Sequence, residues 1–192
     1  MQRKKRFACF LILWALAVTV VGGAMMSYHQ PFQLPSSSIL SLVEQPGDSR
    51  WEAIHVLSGS CGCSQRLMRR LLERHLVGGY EEQILMVDGE EPVLPETASL
   101  LGRLELVGFR VTHIAETSVP VAIGLHGLPL LVVASPQRKV AYLGGYGARG
   151  DQDARILQQA RSGEAPKPFP VIGCVVGTAL RRKADPLQLK YR

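Results

Sequence analysis

Three cysteines stand where sulfur chemistry can be done. Cys61-Gly62-Cys63-Ser64 sets two thiols one residue apart, and a third, Cys174, follows far down the chain after Pro168-Phe169-Pro170-Val171-Ile172-Gly173. A thiolate is the nucleophile of disulfide exchange and also a ligand for soft metals. Two prolines make the approach to Cys174 extended, and its apolar residues lay it against a domain rather than free in water. Such a strap can return to the Cys61 region, which places the Cys174 sulfur within about 10 Å of a motif sulfur, although a bond needs Cα atoms closer than about 7 Å. The bland alternatives are a static bridge or a buried free thiol. Cys9 reads as a small apolar residue of an apolar run.

Metal binding is the rival chemistry. Three thiolates with one of His55, His75, His113 or His126 would suit Cu(I) or zinc. None of these histidines has diagnostic spacing to a cysteine. His55 falls on a central strand and reads as a satisfied core residue. His126, two residues before Leu128, is the one whose location merits notice. No metal site and no cofactor is assigned. Asp88-Gly89-Glu90-Glu91 reads as a solvated loop. Gly144-Gly145-Tyr146-Gly147 lacks the Gly-Lys-Ser/Thr of a phosphate loop, and no Ser/His/Asp set has recognisable order.

The 192 residues carry 22 Lys+Arg against 16 Asp+Glu, but that excess sits at the two ends. Residues 1–26 hold four basic groups and no acid, residues 27–180 hold 13 basic and 15 acidic, and the last twelve hold five basic and one acidic. A body this near neutrality has no general affinity for nucleic acid. Arg3-Lys4-Lys5-Arg6 precedes twenty uncharged residues, Phe7 to Met26. About 30 Å of helix crosses a bilayer core, and the basic flank stays cytoplasmic. A cleaved signal peptide competes with this reading, but its apolar region would be long. The expected organisation is a cytoplasmic stub and anchor over 1–26, a proline-punctuated spacer over 27–50 with a short helical turn near Ser38 to Glu44, a domain over 51–174, and a basic, solvated tail over 175–192.

Within the domain, elements alternate. Glu52 to Ser58 is a strand. Gln65 to Val77 is a helix with Leu67, Met68, Leu71, Leu72 and Leu76 inward and Arg66, Arg69, Arg70 and Arg74 largely outward, stopped by Gly78-Gly79. Gln83 to Val87 is a buried strand, and Glu96 to Val107 a helix opened by Pro95. Phe109 to Ile114 is a strand. Leu130 to Ala134 and Val140 to Leu143 form a hairpin. Asp151 to Ser162 is a last helix, with Asp151 and Asp153 at its positive end. Alternation argues for an α/β layered fold, and the hairpin makes the sheet mixed. Cys61 therefore sits where a strand passes into a helix. There the free N–H groups and the dipole favour thiolate.

At this junction the chain resembles the thioredoxin-like superfamily, with one residue rather than two between the cysteines and Ser64 where a second cysteine usually stands. Gly127-Leu128-Pro129-Leu130 before a strand resembles the cis-proline segment of that superfamily. Gly144-Gly145, Ala148-Arg149-Gly150-Asp151 and Val171-Ile172-Gly173-Cys174 are similar to the RedB-like branch. There a Cys-x-Cys-Ser motif joins a Gly-Gly…Arg-Gly stretch and a late Gly-Cys. Gly62 departs from the proline common between the cysteines, and Val175 to Arg192 has no counterpart. The resemblance implies a three-layer thioredoxin-like sandwich with a mixed central sheet. It also implies a cis Pro129 and a Leu128 backbone that contacts substrate. Cys61 and Cys63 would be a redox dithiol and Cys174 a resolving or third partner. A bond between Cys61 and Cys63 would close a small ring that Gly62 eases. The function so implied is thiol–disulfide exchange with protein thiols or disulfides in the periplasm, by a single-pass protein of the bacterial inner membrane held through residues 7–26. The alternatives are a soft-metal (copper) carrier of the same fold and an interaction domain with structural cysteines.

Overall fold

The computed structural model describes residues 2–27, 31–44, 50–147 and 152–185. Ala148 to Asp151, Lys190 and Arg192, which the sequence analysis singles out, lie outside these residues. The chain divides into two units, Met1–Pro31 and Phe32–Arg192. The first is dominated by α1 (Gln2–Ser27). Its stretch Arg6–Gly23 has a mean hydropathy of 2.0, so this helix is long and apolar enough to cross a membrane.

The second unit is built on a five-stranded mixed sheet. Its strands are β1 (Trp51–Leu57), β2 (Tyr80–Asp88), β3 (Arg110–Ala115), β5 (Leu130–Ala134) and β6 (Val140–Gly144), in the order β3-β2-β1-β5-β6. β1 is parallel to β2 and β2 to β3, while β5 runs antiparallel to both β1 and β6. The central strands are covered on both faces, so they read as near-continuous apolar runs rather than alternating ones. Parity still sorts the side chains. Ala53, Leu57, Ile84, Met86, Leu131 and Val133 face one core, and Ile54, Val56, Leu85, Val87, Leu130 and Val132 the other.

All three helices that the sequence predicts pack on the first face. α2 (Gly62–Arg74) contributes Leu67, Met68 and Leu71, α3 (Pro95–Leu106) contributes Leu100, Leu101 and Leu104, and α4 (Asp153–Arg161) contributes Ile156, Leu157 and Ala160. The arrangement is consistent with the thioredoxin-like plan, with one difference in its third layer. The second face is covered by 3-10 turns and extended chain, not by a long helix. Ile39, Leu40 and Val43 from the stretch read as a spacer are buried there with Ile123, Leu125 and Val171. Arg138 helps to hold this cover. Its guanidinium donates to both oxygens of buried Glu52, at 3.0 and 2.7 Å, and to the Leu40 carbonyl at 2.6 Å.

Three further expectations change. α2 starts at Gly62, three residues early, because Cys61 is its extended N-cap and accepts the first helical bond from Gln65 N–H. It ends at Arg74, before the predicted Gly-Gly stop, so Leu76 lies outside it and is exposed. Arg74 does not point outward. It turns to donate to the His75 carbonyl and to Glu82, whose Oε1 also accepts from Val77 N–H at 2.5 Å, and these bonds shape the loop after the helix. Finally, the stretch over 175–192 read as a solvated tail begins inside β7 (Cys174–Val175) and contains α5 (Thr178–Ala184), and Arg181 pairs with Glu91.

Candidate functional site

Cys61 follows β1 and caps α2 with φ −103° and ψ 116°, and its side chain makes no capping hydrogen bond. The preceding turn is anchored through Gly59, whose carbonyl accepts from Leu94 N–H and from the Thr97 hydroxyl, both at 3.0 Å. Ser64, at the place of the missing second cysteine, is fully buried and accepts from Ser58 N–H at 3.1 Å. A serine there holds the turn.

Cys174 reaches the same point from the other side. β7 pairs antiparallel with β4 (Gly127–Leu128), Leu128 opposite Cys174 and Gly127 opposite Val175. Val176 N–H continues the pairing by donating to the His126 carbonyl at 3.0 Å. Upstream, Phe32 bridges Val171. Gly173 is required by this close approach, because a Cβ there would run into the Leu128 carbonyl. The Phe32 ring lies over Gly127 for the same reason. The Leu128–Pro129 peptide is cis.

The strap closes on a bond. Cys61 and Cys174 form a disulfide across 113 positions, with Cα atoms 6.1 Å apart. Cys63 is free and partly exposed, and the three sulfurs lie within 4.8 Å of one another. Cys61, by contrast, is 1% exposed. Of the five residues singled out in the sequence, Cys61, Cys63 and Cys174 bring their sulfurs together, Leu128 pairs with Cys174, and Pro129 follows Leu128 through the cis peptide. Their pairing differs from the expected Cys61–Cys63 dithiol. The Cys63 sulfur lies within 4.8 Å of both bonded sulfurs, but the Cys61 sulfur is taken by Cys174 of the strap. The Leu128 backbone, expected to meet a partner chain, is engaged by the protein's own β7.

A second polar cluster, of which the sequence analysis places only His55 as a satisfied core residue, lies at the far end of α2. Glu82 and His55 are fully buried, Asp153 is nearly so, and Arg74 bridges the two carboxylates. His55 Nε2 donates to Glu82 Oε2 at 3.0 Å, and its Nδ1 lies 2.9 Å from the Tyr146 hydroxyl. Burial pushes the Glu82 carboxyl up, but hydrogen bonds from His55 and Arg74 outweigh it and hold the group at about 2. Burial raises the Tyr146 phenol well above its ordinary value, and that of Tyr80, which donates to the Leu157 carbonyl, to about 12. The one signal in the chain was an acid, Glu82, on the apolar parity of β2 with Tyr80, Ile84 and Met86. Of the other histidines, His113 pairs with Asp88 at an exposed strand end, and His75 follows α2 in an exposed turn.

No protein-family model and no curated protein matches this chain in sequence. Solved structures do match its fold. A hypothetical protein from Sinorhizobium meliloti is 18% identical with a TM-score of 0.53, over 78% of this chain and 91% of its own. An uncharacterized conserved protein from Geobacillus kaustophilus is 17% identical with the same TM-score, over 78% and 89%. A protein from Bacteroides vulgatus, provisionally assigned as a thiol-disulfide oxidoreductase, is 16% identical over 57% of this chain and 72% of its own. Its TM-score of 0.34 is too low a likeness to bear on this one. The first two likenesses support a mixed α/β fold and nothing finer.

Proposed function

We propose that the protein exchanges thiols and disulfides with protein partners, as a membrane-anchored member of the thioredoxin-like superfamily whose domain over 51–174 lies outside the cytoplasm. The carrying observation is the sulfur cluster, a bonded pair with a free, partly exposed thiol inside 4.8 Å. A static bridge has no use for a third sulfur at that distance, whereas exchange proceeds by thiolate attack on a neighbouring disulfide. The helix start supports it by favouring thiolate at Cys61. Arg3 to Arg6 beside the apolar helix support the orientation. The pairing of Leu128 with Cys174 holds the bond beside the cis Pro129 segment. The RedB-like pattern supports the same reading through the Gly173-Cys174 pair.

Thiol counting tests the reading. Full-length protein equilibrated in glutathione redox buffers should gain and lose two alkylatable thiols reversibly, with a potential above about −300 mV. A bridge closed across that range would defeat exchange. One observation favours a second reading. After reduction the same three sulfurs form an all-thiolate set, which selects Cu(I) over harder ions. Stoichiometric metal retained on intact thiols during purification without chelator would favour carriage over exchange.

A further inference from the structure

We propose that the partner's sulfur is taken up by Cys174, with Cys61 as the leaving thiolate. This rests on the exchange reading and names the atoms it uses. Attack at either sulfur opens the Cys61–Cys174 bond, so access and leaving-group quality decide between them. Access favours Cys174, which is partly exposed on β7, whereas Cys61 is 1% exposed. Leaving-group quality favours the same direction. The Cys61 sulfur sits at the N-cap of the thirteen-residue α2, beside N–H groups without helical partners and the positive end of the dipole. Charge is stabilised on it, and a thiol of lower pKa leaves faster. Cys174 is no helix N-cap: it lies on a two-residue strand, three residues before the N-cap Gly177 of the seven-residue α5.

The steps balance without a further reagent. A partner thiolate attacks Cys174 Sγ, the disulfide breaks, its electron pair goes to Cys61 Sγ, and a partner–Cys174 mixed disulfide forms. A second, deprotonated thiol of the partner attacks the partner's own sulfur, and Cys174 leaves as thiolate. The partner dithiol has then lost two electrons to the protein and become a disulfide. Cys63 provides a second exit. Its thiolate, within 4.8 Å of Cys174 Sγ, attacks that sulfur and expels the partner unchanged, leaving a Cys63–Cys174 bond. Cys63 thus limits the lifetime of capture. The substrate class is a protein dithiol, since a lone partner thiol is returned by Cys63 without net oxidation.

The test locates the first adduct. Full-length oxidised Cys63→Ser protein in detergent is mixed with reduced glutathione, quenched in acid, alkylated at remaining thiols and mapped by peptide mass spectrometry. Glutathione on Cys174 with the alkyl group on Cys61 should exceed the reverse at least tenfold. The unsubstituted protein, quenched at early times, should give the same partition at lower yield, which covers a variant that folds poorly. An equal or reversed partition overturns the assignment and leaves exchange at this site standing. A bond that resists glutathione in both proteins overturns the assignment and the exchange reading together.

Discussion

The two ends of α2 solve opposite problems. At its start, Cys61 meets Cys63 and Cys174, three sulfurs of which two are joined by a disulfide. At its finish, Arg74 meets Glu82 and Asp153, with His55 behind Glu82, in a buried ionic cluster with no covalent bond. One end is fastened by chemistry that can be exchanged, the other by buried charge that costs energy whenever a member is lost. The difference teaches where rearrangement is tolerated. α2 is held at its C-terminal end and along its apolar face, and under the proposed exchange its N-terminal end is the one that changes covalent partners.

Reduction should produce the largest effect. A bridge across 113 positions constrains the unfolded chain, and a loop of that length is worth close to about 5 kcal/mol on chain entropy alone. Urea unfolding of oxidised and reduced full-length protein should show a loss of that order, with the reduced protein still folded because the β4–β7 pairing and the Phe32–Val171 bridge persist. A reduced protein that is unfolded in plain buffer would make the bond structural and break the contrast between the two ends.

Arg74→Ala comes next. It strands two buried carboxylates, and loss of one partner of such a pair costs about 3–5 kcal/mol. The same variant should keep the thiol–disulfide potential of the wild type, because the sulfur end does not depend on Arg74. A shifted potential would show that the ends are coupled through the helix. Acid provides a milder form of the same test. Glu82 is held at about 2, below its ordinary 4.5. Its contribution is therefore complete above pH 4.5 and is lost as pH falls from 4.5 towards 2. At 1.36 kcal/mol per unit the loss is about 3 kcal/mol. Glu82→Gln should flatten that limb of the stability–pH curve, in oxidised and reduced protein alike. A limb that stays steep would assign the acid transition elsewhere.

The sulfur end was legible in the sequence because its signals are local or categorical. A Cys-x-Cys after an apolar strand, a proline before the next one, and a proline-stiffened strap ending in Gly-Cys point to one place without any coordinates. What was not legible is which sulfurs bond, since that depends on side-chain directions at the N-cap that residue types do not encode. The ionic end was missed for a different reason. Arg74 reads as one arginine of an outward face, and only the fold brings it to Glu82 on β2 and Asp153 on α4. The cover of the second face escaped as well. Ser37–Leu42 has the composition of a spacer, and its burial rests on Ile39, Leu40 and Val43 meeting a sheet face whose existence a local pattern does not announce.

The smallest effect is expected from a pair that resembles the Arg74 cluster on paper. Arg69, five residues earlier on α2, donates through Nε and Nη2 to both oxygens of Glu96. Arg74 likewise reaches both oxygens of Glu82, through Nη1 and Nη2. The surroundings differ. The Arg69 and Glu96 side chains are 46% and 52% exposed, against 14% and 0% for Arg74 and Glu82. Water and salt screen the first pair and solvate either partner left alone, so exposed pairs contribute little. Arg69→Gln should leave the urea midpoint and its dependence on pH between 4.5 and 2 unchanged within error. A loss approaching that of Arg74→Ala would mean that shared geometry, not burial, sets the strength of ion pairs on this helix, and the distinction between its two ends would have to be drawn on other grounds.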